Sequence, residues 1–223
     1  GEVEEVTAGM AEDAAKEAET VLNSMVDQVV AGNTVSGINQ VVQDAILNAV
    51  EQGKVISTEV AATTLENAPV EAGEIKNAIQ KLANKYDTTF VVGQYLDLTV
   101  NVLVDGKKVG NITELDSPIE FSIAVPKEIK DEAKVYFVAR MHENEKGDIE
   151  ISFIPAKLNE DGVLTFVTDR FSTYALTYTT EDINVEENGN AWVDVNDIVD
   201  PTPDIQGTVV DKIPETGDSN NLV

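Results

Sequence analysis

The chain of 223 residues contains no cysteine, one histidine and one tryptophan. The missing thiols exclude disulfides, thiolate nucleophiles and thiolate metal ligands together. Aromatic residues make up only 5% of the chain, thin for a sugar-binding groove. Positive charge is scarce as well: 15 basic residues face 41 acidic ones, a net charge of −26. A surface of that sign repels phosphate backbones and anionic headgroups, which excludes nucleic-acid binding and adsorption to a membrane as expected functions. No apolar run reaches the roughly 18 residues that a bilayer-spanning helix needs. What is present is a hydrophobic content of 42%, enough for a sizeable core.

Two hydrophobic periods divide the chain. Over residues 10–30 the positions Ala14, Ala18, Val21, Leu22, Met25, Val26 and Val29 recur at three- and four-residue steps. That spacing predicts a helix, with Glu12, Asp13, Glu17 and Glu19 toward its electropositive start. After Gly32-Asn33 a second helix is expected, capped by Thr34 or Ser36, with Ile38, Val42, Ala45, Ile46, Ala49 and Val50 on one stripe and Gly53 just past its end. From Lys54 the residues turn β-branched. One more helix, about 69–86, carries Ile75, Ala78, Ile79, Leu82 and Tyr86.

Beyond it the period is two. Leu96, Leu98, Val100, Val102 and Val104 alternate with polar residues up to Asp105-Gly106, a hairpin signal. Ile119, Phe121, Ile123 and Val125 alternate next, and four further strands follow to about residue 179. Short strands at 8–12-residue spacing predict an α+β chain: N-terminal helices, then an antiparallel β-sandwich, immunoglobulin-like or similar, with an inserted helix. The expected divisions are 1–53 (helical, packed on the sandwich), 54–179 (sandwich) and 180–223. That last stretch has eleven acidic residues, Lys212 as its one basic residue, and Pro201, Pro203 and Pro214. Such composition predicts a self-repelling, extended linker.

Within it, Ile213-Pro214-Glu215-Thr216-Gly217 resembles the LPXTG sorting signal of Gram-positive cell-wall proteins, with isoleucine in the leucine position. In that family a sortase, a cysteine transpeptidase, binds the segment extended. Its thiolate attacks the threonine carbonyl, and a cross-bridge amine of peptidoglycan then takes the acyl group. The resemblance therefore implies scission between Thr216 and Gly217, with this chain as the substrate and no residue of its own catalytic. The apolar helix and basic tail that complete such a signal do not follow; Leu222-Val223 reads as the start of that span, and the leader is likewise expected to lie outside a sequence that opens on Gly1. The stretches "GKVISTEV", "LVDGKKVGNITELDSPIEFSIAVP" and "VLTFVTDRFSTYALTY" are similar to a β-rich module common just before the anchor in surface proteins of Gram-positive gut bacteria. That likeness covers roughly 50–180 and implies placement and fold without a mechanism. The lack of cysteine fits either a cytosol or a Gram-positive exterior.

Other constellations are weaker. Arg170-Phe171-Ser172 stands where some self-cleaving domains carry His-Phe-Ser, but arginine removes the general base; Phe171, Tyr174 and Leu176 read as core of the last strand. His142 is expected in an exposed loop. Asp194, Asn196, Asp197 and Asp200 only faintly resemble a calcium loop, lacking its central glycine and its terminal glutamate. Lys108 or Lys134 with Asn101 or Asn111 are poor isopeptide partners, since all four are expected to be exposed. Trp192 reads as a residue either packed back onto the helices as an added strand or stacked on a sugar or partner, with Tyr95 and Tyr136 as further candidate contacts. The expectation is an extracellular, cell-wall-anchored, non-enzymatic stalk or adhesion module with no metal and no cofactor. Its partners would be sortase, peptidoglycan after anchoring, and a host or glycan ligand. A glycan- or host-protein-binding domain is the alternative, and a carboxylate hydrolase the third reading.

Overall fold

The structure is a computed structural model that describes residues 2–185, 191–199 and 206–213, with side chains described from residue 12 onward. It is mixed helix and strand, and nearly all strand pairs are antiparallel. The chain forms two compact units. The first comprises residues 1–62, 98–124 and 167–172; the second comprises 63–97, 125–166 and 173–223.

In the first unit helix α1 (Glu2–Val30) buries Ala14, Ala18, Leu22, Met25 and Val29 of the stripe read from the sequence, while Val21 and Val26 lie at its half-buried edges. It lies on strand β4 (Glu114–Ala124), where Gln28 Nε2 donates to Asp116 Oδ2 at 2.7 Å. Helix α2 (Gln40–Glu51) is capped by Asn39, whose side chain accepts from the Val42 amide at 3.0 Å, and not by Thr34 or Ser36. Ser36 is occupied otherwise, donating to Glu114 Oε2. Val50 is 43% exposed and so falls outside the stripe that Val42, Ile46 and Ala49 bury. Strand β1 (Ile56–Leu65) begins in this unit. Strands β2 (Thr89–Val104) and β3 (Lys107–Ile112) pair across Asp105-Gly106, both at positive φ, as the two-residue hairpin requires.

In the second unit helix α3 spans Ala72–Tyr86, starting three residues after Pro69, whose carbonyl accepts from the Ala72 amide. It buries Ile75, Ala78, Ile79 and Leu82 against a core that includes Phe90, Val92, Tyr95, Phe137 and Phe153. A one-turn helix, α4 (Lys127–Glu132), was not legible in the sequence. Strands β5 (Val135–Glu143), β6 (Ile149–Leu158), β7 (Val163–Arg170) and β8 (Thr173–Thr179) follow. Strand β5 lies between β6 and β8, and β8 pairs in turn with residues 91–97 of β2. Seven of the nine β5 positions are buried, so both of its faces are covered. The last stretch is not simply an extended linker where it is described. Strand β9 (Val193–Asp194) adds to β6, one 3₁₀ turn occupies Val195–Asp197, and strand β10 (Thr208–Asp211) pairs parallel to the start of β2. Ile183, Val185, Val193, Val195, Val209 and Ile213 pack against the same core.

Candidate functional site

Two places in the second unit carry chemistry: the attachment of β10, and an apolar cavity beside α3. At the first, Thr208 and Lys212 donate their amides to the carbonyls of Thr88 and Val92, each at 3.2 Å. Gly207 makes this approach possible. A Cβ at that position would overlap the Ala83 backbone and lie 2.6 Å from Thr88 O, so any side chain must push the strand away. The Gly207 amide donates to Asn84 Oδ1 at 3.0 Å, and Gln80 Nε2 donates to the Gly207 carbonyl at 2.6 Å.

The side chains of β10 complete the attachment. Tyr95 is fully buried, and its hydroxyl donates to Asp211 Oδ2 at 2.8 Å, with Lys76 Nζ 3.7 Å from the same oxygen. Lys212 Nζ donates to Glu132 Oε1 at 2.7 Å and to the Tyr178 hydroxyl at 2.8 Å, while that hydroxyl also donates to Glu132. The Lys212 ammonium and, second, the Tyr178 hydroxyl hold the Glu132 carboxyl below its ordinary value. Hydrogen bonds to Glu132 and Tyr178 push the Lys212 ammonium up; burial, then the Glu132 contact, pushes the Tyr178 phenol up. One acid, one base and one phenol thus fasten β10 to α4 and β8.

Ile213 closes the attachment: its amide donates to Asp211 Oδ1 at 2.9 Å and its side chain packs on the core. The rest of the candidate sorting signal, Pro214, Glu215, Thr216 and Gly217, lies outside the described residues, as does Asp200 of the faint calcium loop. Asp194 turns its Oδ1 to the Asn196 amide as a local cap. Among the described residues no group of three or more His, Asp or Glu is placed to hold a metal.

The three candidate aromatic contacts do not form an exposed platform. Tyr95 belongs to the core because the register of β2 shifts between Val92 and Gln94, which changes the inward parity from Phe90 and Val92 to Tyr95. Tyr136 is 6% exposed, and burial pushes its phenol up; among the described residues its hydroxyl has no hydrogen-bond partner. Trp192 is half-buried with the Arg140 guanidinium 4.4 Å over its ring, while the next residue starts β9. Trp192 does lead into an added strand, but that strand joins β6 of the sheet and not the helices, as its pairing with β6 requires. His142 is 3% exposed, not a loop residue, because β5 runs on to Glu143 and Asn144 forms the turn by accepting from the Lys146 and Asp148 amides. Asn101 is buried opposite Asn111, whereas Lys108 and Lys134 are exposed as expected. Phe171, Tyr174 and Leu176 are core.

The cavity was not anticipated. It measures about 830 Å³ and lies between α3 (Leu82, Tyr86), the paired ends of β5 and β6 (Phe137, Pro155) and the last stretch of chain (Ile183, Val193). The side chains of Lys85, Lys134 and Lys157, all exposed, also line it. Such a volume suits a small ligand, since small-molecule sites run from about 300 to 1,000 Å³. Comparison with protein-family models, with curated proteins and with solved structures finds no match to this chain.

Proposed function

We propose that this chain is a surface protein of a Gram-positive bacterium, joined to the cell wall by a sortase that cuts between Thr216 and Gly217, and that its folded part is a non-enzymatic display or adhesion module. The observation that supports this reading is the position of the candidate signal. Ile213, the first residue of the pentapeptide, is held to the fold through Asp211, so the candidate signal follows directly in sequence on the attached strand β10. A module held at that point would carry tension from the wall through β10 into β2. The finer assignment, an immunoglobulin-like sandwich, rests on strand spacing and turn chemistry alone. A second reading, a ligand-binding domain, is favoured by the cavity.

The test is transpeptidation. Incubated with a housekeeping sortase and an amine nucleophile, the chain should lose residues 217–223 and gain the nucleophile at Thr216, and Thr216→Ala should abolish the product. No product, or one that survives the substitution, ends the anchoring claim. Ile213 must leave the core to fill an enzyme pocket, so a Gly207→Ala variant, with β10 loosened, should react faster than the parent.

A further inference from the structure

Asp211, Lys212 and Ile213 are held one after another by different elements. Asp211 accepts from the Tyr95 hydroxyl at 2.8 Å, Lys212 donates to Glu132 on α4 and to Tyr178 on β8, and the Ile213 side chain packs on the core. Upstream the ties are of another kind, since Gly207 is met by the neutral side chains of Gln80 and Asn84. The charge-assisted contacts, the stronger sort, thus stand on the two residues just before the pentapeptide. The backbone there is spent as well: the Lys212 amide donates to the Val92 carbonyl and the Ile213 amide to Asp211 Oδ1. An enzyme that binds the pentapeptide extended needs the Ile213 side chain in its own pocket, and one side chain cannot fill two pockets. Reach is short too, because Thr216 stands three residues past Ile213, about 10 Å of fully extended chain.

We infer that the end of β10 is an autoinhibitory contact on the candidate sorting signal. With residues 211–213 docked the pentapeptide is closed to a sortase, and transfer runs only from the population in which these residues have come away. The inference rests on the anchoring reading above and adds to it what controls the site. The whole strand need not leave: detachment of 211–213 frees Ile213 while Gly207 and Thr208 stay in place. The rate of anchoring is then that of the free segment multiplied by the fraction open, and that fraction is set by the Tyr95 and Glu132 contacts and not by the enzyme. A chain still unfolded has no such contact. Anchoring is therefore fastest before β10 docks, and docking afterwards fastens the anchored chain.

Two substrates are compared with one housekeeping sortase and one amine nucleophile: the full chain, and a synthetic peptide of residues 209–223, which has no body to dock on. The kcat/KM for cleavage after Thr216 should be at least about thirtyfold higher for the peptide. In the full chain Tyr95→Phe should raise it about thirtyfold, because the bond lost is to a charged partner. Glu132→Gln, at an exposed position where folding is not at risk, should raise it about threefold. Lys127→Gln, in the exposed pair with Asp131 on the same helix, should leave it unchanged. A peptide that is not cleaved removes the anchoring reading and this inference with it. Equal rates for peptide and chain, or a faster peptide with both Tyr95→Phe and Glu132→Gln at the parent's rate, overturn the autoinhibitory contact and leave anchoring standing.

Discussion

Replacing Tyr95 by phenylalanine removes one oxygen and leaves the ring in its core position. The lost hydroxyl donates to Asp211 Oδ2 at 2.8 Å, and the Asp211 side chain is only 11% exposed. Water therefore replaces the donor poorly, and Lys76 at 3.7 Å is too far to do so without moving. Hydrogen bonds to charged groups contribute about 1.5–3 kcal/mol, so a loss of about 2 kcal/mol is expected. At about 1.4 kcal/mol per decade, the opening equilibrium of β10 should rise about thirtyfold. The assay is amide hydrogen exchange at Thr208 and Lys212, which donate to Thr88 and Val92. In an Asp211→Ala background the same tyrosine change should cost far less, since its partner is already gone. Unaltered exchange at those two amides, or an equal cost in both backgrounds, would refute the role given to this pair.

Two further predictions concern neighbouring contacts. The Glu132 carboxyl is held below its ordinary value of 4.5, so its contribution is full above that pH and is lost as pH falls through the lower, folded value; Lys212, raised above 10.5, contributes below that pH and loses its contribution only as pH rises through its folded value. Limited proteolysis at 206–213 should therefore accelerate in acid, and Glu132→Gln should flatten that acid limb; a pH-independent cleavage rate counts against the contact. Trp192→Leu should lower stability by about 1–2 kcal/mol, because it uncovers the buried Arg140 guanidinium now 4.4 Å over the indole. An unchanged thermal unfolding midpoint would show that the stack contributes nothing.

Much of the fold was legible because its signals are local. Most of the α1 stripe, the α3 stripe, the Asp105-Gly106 hairpin and the alternation at Ile119, Phe121 and Ile123 each depend on residues a few positions apart, and these appear in place. What escaped needed partners distant in sequence. The β2 register shift that turns Tyr95 inward is set by pairing with β8, about eighty residues on. His142 was expected in an exposed loop, whereas β5 runs past it to Glu143 and buries it, the turn beginning only at Asn144. The cavity leaves no sequence signal at all: its lysines come from α3, from the residue before β5 and from β6, brought together only by folding. Of the candidate sorting signal, only the chemistry of its residue types could be read, since four of its five residues lie outside the described ones.

The acidic last stretch shows why composition alone misleads. Counting charge predicts self-repulsion and extension, yet repulsion opposes folding only when the charges must come together. Here the apolar residues at 183, 185, 193, 195, 198, 209 and 213 each pack on the core, while Asp182 and Asp197 beside them stay exposed. Asp211, whose side chain is largely covered, is met by Tyr95 and Lys76. The same stretch closes one wall of the cavity and, through Gly207, is held against the end of α3 that forms another.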